Sequence, residues 1–105
     1  MGMSSLEDPK RQLEVVIAYL RLGLREGGIA IGIKGGHDLT AQLQNLVGRG
    51  DMTMMRAARS TKRRIHRVFT SPAGIERLAG YDERYGEGFG PESTIPVLKA
   101  DRPLR

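Results

Sequence analysis

Six cations and no acid lie between Arg56 and Arg67: Arg56, Arg59, Lys62, Arg63, Arg64 and Arg67. The 105-residue chain holds 17 Lys and Arg against 12 Asp and Glu, so outside these six the remaining 11 cations and 12 acids nearly cancel and the formal charge of +5 is local. The chemistry open to such a cluster is the binding of phosphates. Each neutralised phosphate must meet a nearby Lys or Arg, and release of its counterions drives association. A solvated basic turn has the same composition, and what weighs against that reading is the order of the elements around it.

Other chemistries find little in these residues. With no cysteine there is neither a disulfide framework nor a thiolate metal site, and His37 and His66 stand without a spaced carboxylate cluster, so no metal is expected. The run Gly27 to Lys34 lacks the Lys-Ser/Thr ending of a phosphate loop. Asp38 and Asp51 show no signature of an acid/base pair, and Arg49-Gly50-Asp51 reads as a helix end rather than an adhesion motif. Two Phe, three Tyr and no Trp leave a small aliphatic core that can hardly spare the volume of a substrate pocket. The expectation is a protein that is not an enzyme and needs no cofactor.

The elements that must carry the cluster follow from periodicity. Residues 1–7 form a flexible leader. Asp8 as N-cap and Pro9 at the first turn open a helix on which Leu13, Val16, Ile17, Leu20 and Leu24 keep one face to about Arg25. Val15, Tyr19 and Leu22 make a second row, which is either buried with the first or left as a homodimer contact. Gly27 and Gly28 close this helix. In the next segment, IAIGIKGG, the alternation of Ile29, Ile31 and Ile33 suits a strand, whereas a helix-turn-helix order asks for a short helix; the second is the expectation adopted here. Gly35 and Gly36 then form a tight turn.

A further helix runs from His37 or Asp38 to Arg49, with Leu39, Leu43, Leu46 and Val47 as its buried stripe. Thr40, Ala41, Gln44 and Asn45 cover much of the remainder; amides can pair with adenine and small apolar groups can touch the thymine methyl. Gly50 ends it. Met52 to Arg56 and Ile65 to Thr70 read as strands joined by the basic turn, with Met52, Met54 and Met55 as core filling. Ser71 and Pro72 open the last helix, whose apolar face is Ile75, Leu78 and Ala79. Beyond Gly80, three glycines, three prolines and five acids favour a mobile tail over residues 81–105, although Tyr81, Tyr85 and Phe89 recur every four residues and would suit docking.

Leu39 to Gly74 resembles the winged helix-turn-helix domain of bacterial transcriptional regulators of the MarR, PadR and ArsR kinds. The phrase LVGRGDM, Leu46 to Met52, is similar to the end of their recognition helix, and Ser71, Pro72, Ala73 and Gly74 to the helix start after their wing. The likeness covers roughly Ile29 to Ala79. It implies an α+β fold, a compact winged helix over residues 8–80 with a basic β-hairpin wing, a C-terminal helix and a tail. It places Thr40, Ala41, Gln44 and Asn45 on the base-reading face, and Arg59, Lys62, Arg63 and Arg64 on the wing. The recognition helix departs from the pattern in having no Lys or Arg before Arg49, so affinity rests mainly on the wing.

The function expected is a sequence-specific double-stranded DNA-binding regulator, acting as a repressor and a homodimer. Its backbone contacts would be His37, Arg49, Arg56, Arg59, Lys62, Arg63, Arg64 and Arg67. The rival is a winged-helix module that captures protein, such as a small phage or plasmid adaptor. RNA is less well served, because the basic turn lacks interleaved aromatics. No apolar run reaches the roughly 20 residues of a membrane span, and MGMSSLEDPK has no hydrophobic signal core; a cytoplasmic location is expected, with no membrane and no small-molecule substrate.

Overall fold

A computed structural model describes residues 8–32, 41–56 and 65–95. The element order is α1 Pro9–Leu22, β1 Ile29–Gly32, α2 Ala41–Gly48, β2 Met52–Arg56, β3 Ile65–Thr70, α3 Pro72–Tyr85, then a 3-10 turn at Glu92–Thr94. The three strands form one antiparallel sheet in the order β1-β3-β2. The class is therefore α+β, with helices on the sheet face that carries Ile29, Ile31, Met52 and Val68.

The first helix starts as its residues dictate: the Asp8 carboxylate accepts from the Lys10 N–H at 3.0 Å and Pro9 takes the first position. It stops at Leu22, three residues before the expected Arg25: the Gly23 carbonyl accepts from Thr70 N–H instead of continuing the helix, and any Cβ at Gly23 would collide with Thr70 and Met52. Both of its apolar rows are buried. Ile17 and Leu20 are fully enclosed, and so are Val15, Tyr19 and Leu22, the residues proposed above as a dimer contact. That expectation is corrected: α1 is covered by α2 and α3 and also by the C-terminal segment, so the second row is consumed within the chain. Leu24, assigned to the buried row, is 49% exposed.

Residues 29–32 form strand β1, not the short helix expected there. Ile29 lies opposite Val68 and Ile31 opposite His66, which places both isoleucines on the core face; β-branched residues at period two satisfy that site, and the tertiary pairing overrides the helix-turn-helix argument. Gly28, at φ +65°, lets the chain enter the strand against the Val68 carbonyl, 2.5 Å from where a Cβ would stand.

In β2 the alternation is strict. Met52 is buried, Met54 half-buried, and Met55 points outward at 56% exposure, so only part of the methionine cluster fills the core. At the end of α2 the Gly50 N–H donates to Val47 O and the Asp51 N–H to Leu46 O, with Gly50 at φ +87°, a Schellman closure. The third helix is capped by Ser71, whose hydroxyl accepts from Gly74 N–H. Its buried stripe is Gly74 and Leu78; Ile75 and Ala79, expected there, face outward. The helix is rotated toward Gly74 because only a residue without Cβ can lie against the Asp51 carbonyl.

The segment after α3 is not a free tail as far as Ile95. Gly90, at φ +68°, lies against Glu14 O and the Ile17 side chain, and Ile95 is 5% exposed. Arg11 Nη2 donates to Thr94 O at 2.9 Å, while Arg21 Nη2 reaches Phe89 O at 2.8 Å and pairs with Asp82 at 2.7 Å. Residues 86–95 thus lie against α1, and the packed unit that began at Asp8 continues past Gly80. Among the described residues no helix is long and apolar enough to cross a membrane.

Candidate nucleic-acid interface

The outward face of α2 carries Ala41, Gln44, Asn45 and Gly48, one continuous strip at helical spacing, while Leu43 and Leu46 point into the core and Val47 is half-buried. Ala41, Gln44 and Asn45 thus share the face expected to read bases. Thr40 and His37 lie outside the described residues. The strip carries no charge until Arg49, which continues it one turn beyond Asn45; the Arg49 N–H donates to Asn45 O at 2.9 Å.

Arg49 is held by the chain itself. Its Nε donates to Asp51 Oδ2 at 2.7 Å, and Arg77 Nε, from α3, reaches the same oxygen at the same distance. The Asp51 side chain is 1% exposed, whereas those of Arg49 and Arg77 are 44% and 50% exposed. The carboxylate is buried because its residue closes α2, directly precedes β2 and supports α3: its N–H donates to Leu46 O and its carbonyl accepts from Ser71 N–H. Loss of water around Arg49 alone would lower its pKa. Asp51, by hydrogen bond and by charge, outweighs this with help from the Tyr81 phenol, and the guanidinium pKa stands raised. Arg77 was not among the residues expected from sequence, since nothing in its spacing connects α3 to an aspartate 26 positions earlier.

The β2–β3 connection, residues 57–64, contains Arg59, Lys62, Arg63 and Arg64 and lies outside the described residues. Its two anchors are described: Arg56 ends β2 and His66 faces it across the antiparallel pair. Arg67 sits on the outer face of the sheet, between Ala30 and Met55 in register, and its Nη1 donates to Gly27 O at 3.0 Å. It is part-buried and ties β3 to the α1–β1 turn, so its remaining donors are what it could offer a phosphate. His66 is half-buried, with Nδ1 3.3 Å from Met54 Sδ. Among the described residues no group of three His, Cys, Asp or Glu could hold a metal ion.

No protein-family model, curated protein or solved structure matches this chain.

Proposed function

We propose that the chain is a winged helix-turn-helix protein that binds double-stranded DNA and regulates transcription, with α2 as the reading helix and the β2–β3 hairpin as a basic wing. One observation carries this: the whole basic excess of the sequence lies on a single hairpin, directly after a helix whose outward strip is Ala41, Gln44 and Asn45. The strand order β1-β3-β2 supports this reading, while among the described residues α2 is the single helix between β1 and β2, with β1 standing where the first helix of a helix-turn-helix was expected. Wing cations on phosphates would supply most of the affinity, and the uncharged strip the discrimination among base pairs.

Two copies on a two-fold site fit such a reader, but with Val15, Tyr19 and Leu22 inside the chain the contact would use another surface. A duplex titration tests the reading. Neutralising about four to six phosphates gives a slope of log affinity against log salt of about −4 to −5, and charge reversal at Arg63 and Arg64 abolishes binding. A slope near zero overturns it. Selection of bound sequences from random duplexes reports specificity and symmetry together.

A further inference from the structure

We infer that Arg49 and Arg77, fixed by the buried carboxylate of Asp51, form a phosphate-binding pair at the C-terminal end of the α2 strip, separate from the wing. This rests on the DNA-binding reading for the source of the phosphate, though not for the anion chemistry.

Charge is the first argument. Among the described residues Asp51 is the only carboxylate within ion-pair distance of either arginine. One carboxylate balances one guanidinium, so the cluster keeps a net positive charge. Geometry is the second. Both Nε atoms sit 2.7 Å from the same Oδ2, so they are no farther apart than twice that distance. Arg49 turns its Nε–H inward to Asp51 and Arg77 Nε lies at ion-pair distance from the same oxygen, while both side chains are about half exposed. Two planar forks held side by side match the oxygens of one phosphate.

Preorganisation is the third. Asp51 is stitched to α2 and α3 through its own backbone, to Leu46 O and from Ser71 N–H. The arginines therefore lose less freedom on binding than surface arginines elsewhere. Position is the fourth. Arg49 lies one turn beyond Asn45, so a phosphodiester held there borders the strip assigned to base reading.

The test compares three full-length proteins: wild type, Arg77→Gln, and Lys10→Gln as a control with the same loss of charge. Lys10 is exposed at the N-terminal end of α1, about 20 Å of helix from Gly23, whose carbonyl accepts from Thr70 N–H next to the Ser71 cap. Arg77→Gln is expected to reduce the magnitude of the duplex salt slope by about 0.9 and to weaken binding about five- to tenfold at 0.1 M salt; Lys10→Gln leaves the slope unchanged. Equal effects of the two variants overturn the pair while leaving the DNA reading intact. In parallel, the arginine Nε–Hε signals of the wild type are followed by NMR during titration with inorganic phosphate at constant ionic strength. The Arg49 and Arg77 signals are expected to shift together and saturate. Saturation without any duplex affinity would sink the DNA reading and keep the anion site, and unmoved signals overturn the site.

Discussion

The Thr70 hydroxyl donates to the Leu20 carbonyl at 2.7 Å in the buried interior, joining the end of β3 to the last turn of α1. The same residue's N–H donates to Gly23 O at 3.0 Å, so one threonine holds two points of the helix terminus. Thr70→Val keeps the shape and removes the donor, leaving the carbonyl without that hydrogen bond. It should cost about 1–3 kcal/mol in urea unfolding, and Thr70→Ser, which retains the hydroxyl, clearly less. Equal losses would show that the methyl group matters and the hydrogen bond does not.

Two glycines of α3 predict opposite signs. At Gly74 an added Cβ collides with the Asp51 carbonyl and crowds Thr70 Cγ2; Gly74→Ala should destabilise by about 1–3 kcal/mol through overpacking. At Gly80 nothing lies within 4 Å of an added Cβ, and Gly80→Ala should stabilise by about 0.5–1 kcal/mol through helix propensity. Thermal melts of the two variants give the comparison directly.

Ile95 reports whether the C-terminal segment belongs to the folded unit. It is 5% exposed and part of the main core, so Ile95→Ala should cost about 2–5 kcal/mol. A shift in the urea midpoint too small to measure would mean that residues 86–95 are not docked in solution.

Gly90 makes the same point through the backbone. Its φ of +68° and the closeness of Glu14 O and Ile17 exclude a side chain. Gly90→Val should release the segment, and hydrogen exchange should then rise in α1 near Ile17 while the β2–β3 pairing stays protected.

Strands β2 and β3 were legible to the residue, because each is short, rich in apolar and β-branched residues, and bounded by Gly50 or Ser71-Pro72. The start of α1 was equally plain from Asp8 and Pro9. What escaped depended on partners remote in sequence. The segment at Ile29 is a strand because Val68 lies beside it, and both rows of α1 are buried because α2, α3 and the C-terminal segment all pack on that helix. The outward strip of α2 was readable from periodicity in Ala41, Gln44 and Asn45. The Arg49–Asp51–Arg77 cluster was not, since helical phase cannot show that α3 returns to the end of α2.

The bond from Arg11 to Thr94 spans 83 positions, and this separation bears on synthesis as well as stability. In a chain leaving the ribosome at about 5–20 residues per second, the cover over Ile17 arrives with Gly90, well after α1 itself. For several seconds the helix with the most buried residues is without its final neighbour. Contacts of such range also slow folding, and surface left open in that interval is the kind that favours aggregation.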